Sequence, residues 1–146
     1  MLDKFVGDCV MAVYGVPSGK DDDSYRAVRT AMDIRDSVEK LNRIREKAKQ
    51  LTVGIGIGVN TGEVVSGNMG SPQKMDYTVI GDNVNLAARL EANAPAGKVY
   101  VSASTYNETK DRIEYAELEA IKVKGKKEPV RIFDPVKVKP GVDEKK

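Results

Sequence analysis

From Val53 to Val59 the chain reads Val-Gly-Ile-Gly-Ile-Gly-Val. Successive side chains on a strand point to opposite faces, so this stretch has one β-branched aliphatic face and one face of bare glycine. Glycine weakens a strand interior, and its strict alternation implies that something approaches that face too closely for a Cβ. The pattern predicts a strand over 53–59 with a helix packed tightly on the glycine side. The glycines lack the spacing of a dinucleotide-binding turn, and no helix opens there.

The flanking segments interleave strands and helices. Phe5-Val6, Gly7-Asp8 and Val10 to Tyr14 predict a tight hairpin. Asp21 to Ser24 bring carboxylates and a hydroxyl to a helix start, and Ala27, Ala31, Ile34, Val38 and Leu41 recur at helical spacing up to about Lys49. A returning strand is expected over Gly62–Val65, a loop over Gly67–Pro72, a strand over Tyr77–Ile80 and a helix over Asn83–Glu91. Val99–Ser102 extends, Ser104–Lys110 is helical, and strands fall near Tyr115–Val123 and Val130–Val138. The class is mixed α/β (α+β), one domain over 1–138, with a lysine-rich disordered tail over 139–146.

Composition narrows the chemistry. The chain has no histidine, which removes histidine-ligated metals, Ser-His-Asp triads and Cys-His nucleophiles. A single cysteine, Cys9, leaves no internal disulfide and suits a reducing, cytoplasmic setting. The 24 basic against 22 acidic residues provide no electrostatic case for nucleic acid. The longest apolar run, Cys9 to Tyr14, is too short to span a bilayer, and no secretory signal opens the chain. Gly15 to Asp21 falls one spacer short of a P-loop and lacks its Ser or Thr, and Asp21–Asp23 lacks the spacing of a calcium loop.

Three features could carry chemistry. Asp8 sits at a rigid hairpin turn, where a carboxylate can help hold magnesium beside substrate phosphates or can simply serve the turn. Asn85 and Arg89, four apart on one helix face, can hold a ribose oxygen and a phosphate charge or can be a solvated face. Lys124 stands beside Gly125, which would let a phosphate approach.

Their order along the chain is more specific than any one of them. Lys4-Phe5-Val6-Gly7-Asp8, Gly62-Glu63-Val64-Val65, Gly67-Asn68-Met69-Gly70, the run Tyr77 to Leu90, and Val123-Lys124-Gly125-Lys126 follow one another. This arrangement resembles the class III adenylate/guanylate cyclase catalytic domain, from Leu2 to about Val136. The resemblance implies a ferredoxin-like antiparallel sheet with helices on one face. It also implies conversion of ATP to 3′,5′-cyclic AMP and pyrophosphate at a dimer interface, by two-metal catalysis with Mg2+ or Mn2+. By the same resemblance Asp8 matches a metal aspartate, and Lys4 with Thr78 the purine-reading pair. Asn85 and Arg89 match the transition-state pair, and Lys124 matches the lysine for the terminal phosphates. A lysine beside a hydroxyl suits adenine, whereas guanine-selecting members usually carry Glu and Cys there. Thr78, where many members have Asp, resembles a subgroup described as bicarbonate-responsive.

The family's first strand, which carries another metal aspartate, and its two following helices have no counterpart before Leu2. The expectation is an N-terminally truncated cyclase domain, weak or inactive alone, working as a homodimer or heterodimer. Any membrane tether would lie in domains outside this sequence. The alternative is a non-catalytic partner that lends Lys4, Thr78, Asn85 and Arg89 to a complete cyclase subunit. A structural module with a vestigial site is a third reading, disfavoured because every matched polar position remains intact.

Overall fold

The computed structural model describes residues 2–16, 18–71 and 74–142, with backbone alone for 2–6, 69–71 and 74–78. In chain order the elements are β1 (Leu2–Val6), β2 (Cys9–Ala12), α1 (Asp23–Lys47), β3 (Ile57–Val59), β4 (Val65–Ser71), β5 (Lys74–Ile80), α2 (Asp82–Asn93), β6 (Val99–Ser102), α3 (Ala103–Thr109), β7 (Ile113–Glu117) and β8 (Ile132–Val138). A four-stranded sheet runs β3-β6-β8-β7, while β1-β2 and β4-β5 form separate two-stranded ladders. β3 pairs with β6 in parallel, and the other strand pairs are antiparallel. A parallel neighbour requires a crossover, and the chain between β3 and β6 includes α2.

The mixed α+β class expected from the sequence is the class of the structure. The sheet, however, includes the parallel β3–β6 pair, and α1 and α2 meet opposite faces of β3 where helices on one face of an antiparallel sheet were expected. Val28, Ala31 and Met32 of α1 pack with Val99, Val101, Ile113 and Phe133 of the sheet, and Ile57 and Val59 join them. The alternate residue of β3, Gly58, faces α2: a Cβ there would stand 2.4 Å from the Glu91 amide nitrogen and 2.6 Å from the Ala87 carbonyl oxygen. The tight seat expected on the glycine face is therefore the seat of α2. Tyr106 of α3 stacks on Phe133 at 4.0 Å and meets Tyr115 edge-on at 5.2 Å, which locks α3 onto the sheet at β8 and β7.

Several boundaries move. The predicted strand over 53–59 is paired only from Ile57, although the Ile55 carbonyl accepts from the Gly97 amide. The segment expected to loop from Gly67 is strand as far as Ser71, because β5 supplies partners from Val65↔Ile80 to Ser71↔Lys74, and pairing overrides local propensity. Residues 72 and 73, the first of them the end of the expected loop, lie outside the described residues. The strand expected to reach Val123 ends at Glu117, followed by an isolated bridge between Ile121 and Val130. On α1 the buried face is Val28, Ala31 and Met32, whereas Ile34 and Leu41 are 43% and 42% exposed. A period alone does not say which part of a broad apolar stripe meets the sheet. Among the described residues no helix is long and apolar enough to cross a membrane.

Candidate active site

The start of α2 is built by glycine and asparagine. Gly81 has φ +143°, a backbone that side chains avoid, and its carbonyl accepts from the Val84 and Asn85 amides at 3.1 Å. Asn60 Nδ2 donates to the Asn83 carbonyl at 2.9 Å, and Asn83 Nδ2 donates to the Glu63 carbonyl at 2.9 Å. Gly62 leaves the room this needs, since a Cβ there would lie 2.3 Å from the Asn83 side chain. Pinned at its start and pressed along β3, α2 buries Leu90 completely and turns Asp82, Asn85 and Arg89 to its other side. These positions are i, i+3 and i+7, one helical stripe.

Facing that stripe is a tight turn in the β7–β8 connection. The Ile121–Val130 bridge closes its base through reciprocal bonds of 3.0 and 2.7 Å, and buried Val123 anchors its entry. The Lys126 amide donates to the Val123 carbonyl at 3.2 Å, with Gly125 at φ +88° in the third position. A side chain other than glycine is disfavoured there, and Lys124 occupies the turn's second position. Lys126 Nζ meets Asp82 Oδ2 at 2.6 Å, joining the turn to the first residue of α2.

The result is a cleft of about 220 Å3 walled by Asn85 and Arg89 on one side and Lys124 on the other, with Leu86, Asp82 and Lys126 completing it. Three cationic side chains and one carboxylate share it, so formal charge favours an anionic ligand. The structure thus gathers three of the six residues singled out from the sequence. It adds Asp82 and Lys126, whose signals were the helical spacing to Asn85 and the position two residues beyond Lys124.

The other three sit elsewhere. Asp8 is exposed at the β1–β2 turn, next to Gly7 at φ +59°, in a two-residue hairpin closed by the Val6↔Cys9 pair. Its neighbour Cys9 has a thiol pKa pushed up by burial, with Glu91 and Asp8 adding negative charge. Lys4 lies on β1 opposite Met11, and Thr78 lies on β5 opposite Gly67. Their strands are neighbours, and their side chains fall outside the described residues. Among the described residues no group of three or more acidic, thiol or imidazole side chains converges on one point. Asp8 accordingly offers one carboxylate to a cation, a number compatible with magnesium when substrate phosphates supply further oxygens.

Residues 4–133 match the family model for the adenylate and guanylate cyclase catalytic domain. Among solved structures, the adenylyl cyclase CyaB from P. aeruginosa is 39% identical with a TM-score of 0.85, over 95% of this chain and 72% of that one. The guanylyl cyclase Cya2 is 32% identical with a TM-score of 0.87, over 98% of this chain and 73% of that one. Adenylate cyclase 1 of Rhizobium meliloti is 29% identical over 92% of this chain and 21% of its own length. This chain spans about a quarter of the length of the curated relatives it matches, such as an uncharacterized protein of Mycobacterium tuberculosis at 31% identity. With α2 and the facing turn falling inside the matched span, the chain belongs to the adenylate and guanylate cyclase catalytic domain family.

Proposed function

We propose that this domain makes 3′,5′-cyclic AMP and pyrophosphate from ATP, at an interface between two cyclase domains. The observation that carries the reading is the convergence of Asn85, Arg89 and Lys124 on one cationic cleft. The 39% identity to an adenylyl cyclase supports the choice of nucleotide, as does a lysine and a threonine on the neighbouring strands β1 and β5.

In this reading Lys4 donates to adenine N1 and the Thr78 hydroxyl accepts from the 6-amino group. Asn85 orients the ribose so that its 3′-oxygen lies in line with the α-phosphorus. As that oxygen gives up its proton to solvent and attacks, the P–O bond to the β-phosphate breaks and pyrophosphate leaves with the bonding electrons. Negative charge grows on the α-phosphate oxygens, and Arg89 offsets it from a fixed position on α2. Lys124 holds the terminal phosphates and favours their departure as pyrophosphate. Asp8 would hold Mg2+ or Mn2+, which when bound supplies charge neutralisation and acidifies the attacking hydroxyl. Asp8 lies on a separate hairpin from the cleft, which suits an active site completed by a second domain.

The test is product formation by the purified chain with ATP or GTP and manganese, read by chromatography. Cyclic AMP from ATP, at no more than the weak level expected above for this chain alone and abolished by Arg89→Ala, is the predicted result. Cyclic GMP as the main product would overturn the nucleotide assignment. The same gathering of cleft residues away from Asp8 also favours a second reading, a partner that lends its cleft to another subunit. Under that reading the chain is silent alone and restores activity to a cyclase domain defective at its own transition-state arginine.

A further inference from the structure

The Asp82–Lys126 contact ties together segments 44 residues apart in sequence. At 2.6 Å it is a close ion pair, yet the Asp82 side chain is 75% exposed and that of Lys126 35%. Exposed pairs of this kind contribute little to global stability, so the contact is a weak device for holding the fold together. Its position gives it a local consequence instead. The base of the β7–β8 excursion is closed by the Leu118 amide to Ile132 carbonyl bond, the Glu117–Arg131 ion pair and the Ile121–Val130 bridge, and beyond buried Val123 its tip is closed by the Val123 carbonyl to Lys126 amide bond. Lys124 rides at the tip of that turn, while Asp82 is the first residue of the helix that presents Asn85 and Arg89.

We infer that Asp82 and Lys126 form a latch that holds the Lys124 turn against α2, making both of them positioning residues for phosphate binding in the cleft. The inference rests on the phosphate-binding reading of that cleft. With the latch closed, three cations and the helix stripe keep a fixed separation before the ligand arrives, which lowers the ordering cost of binding. With it open, Lys124 is carried by a turn that swings about its bridge.

Two measurements on the full chain test this. Hydrogen exchange reports the latch without needing activity. Asp82→Asn and Lys126→Gln should each speed exchange of the amides at 124–127, with the melting temperature unchanged and Lys126→Arg restoring protection. Calorimetric titration with inorganic tripolyphosphate reports the consequence: each variant should bind more weakly by about 1.4-fold to fivefold, the range an exposed ion pair spans. Asp82→Asn is the decisive variant, because deleting a negative charge beside an anion site should by Coulomb's law alone tighten binding. If Asp82→Asn tightens binding while Lys126→Gln loosens it, Lys126 is a direct phosphate ligand competing with Asp82 and the latch is refuted. Unchanged exchange in both variants also refutes it. Failure of the unsubstituted chain to bind tripolyphosphate, with the exchange response intact, overturns the phosphate reading of the cleft and the positioning role with it.

Discussion

Replacing Gly58 with alanine should disable the site from behind without touching a cleft residue. The new Cβ would stand 2.4 Å from the Glu91 amide nitrogen, 2.6 Å from the Ala87 carbonyl oxygen and 2.8 Å from Leu90 Cβ. Comfortable contact needs about 3.5 Å, so α2 must retreat from β3 by about 1 Å. The two nearest atoms are backbone, and trimming Leu90 therefore gives no relief. Overpacking of this kind costs about 1–3 kcal/mol, of which the stiffer unfolded chain returns about 0.4–1 kcal/mol. The net loss of about 1–2 kcal/mol lowers the melting temperature by a few degrees, on the order of 3–8 °C for a domain of this size. Function should suffer more, because α2 shifts Asn85 and Arg89 relative to the Lys124 turn, and a 1 Å misplacement can cost roughly a hundredfold in rate. Gly54→Ala is the internal control: its Cβ would meet only the Ala96 methyl, at 3.0 Å. The assay is thermal melting beside cyclic AMP formation for both variants. A Gly58→Ala protein that melts with the unsubstituted chain and turns over within a few-fold of it would refute the claim that β3 sets the position of α2.

Asn85→Ala and Arg89→Ala should each lower turnover by roughly a hundredfold to a thousandfold while leaving the melting temperature in place, as steady-state kinetics beside calorimetry will show. Lys124→Ala should weaken binding of ATP far more than binding of adenosine, measured by titration of both. Lys4→Glu combined with Thr78→Cys should move product formation from cyclic AMP toward cyclic GMP, and an unchanged nucleotide preference would remove those two residues from base reading. Tyr115, half-buried and bonded to Thr109 at 2.7 Å, has its pKa pushed up to about 12, chiefly by desolvation of its hydroxyl. The unfolded chain ionises its tyrosines near pH 10, so the stabilisation is complete below about pH 10 and is lost as pH rises toward 12. Tyr115→Phe should flatten that alkaline decline in denaturation measured across this range.

The amino-acid sequence alone specified what sterics and short-range bonding decide. The Gly7-Asp8 turn, the glycine face of residues 54–58 and the start of α2 at Gly81-Asp82 were legible because each depends on neighbours a few residues away or on the absence of a Cβ. Asn85 and Arg89 were legible as a pair for the same reason, since helical spacing alone puts them on one face. Tertiary structure decided whatever needed a distant partner. β4 reached Ser71 only because β5 offered a matching edge, and α1 buried Val28 and Met32 in preference to Ile34 and Leu41 according to where the sheet met it. No local pattern announced that β3 and β6 would run parallel, or that Lys126 would cross 44 residues to Asp82. The cleft itself belongs to this second group: its walls come from two elements that sequence spacing leaves independent, and the packing of α2 on a bare glycine strand is what brings them face to face.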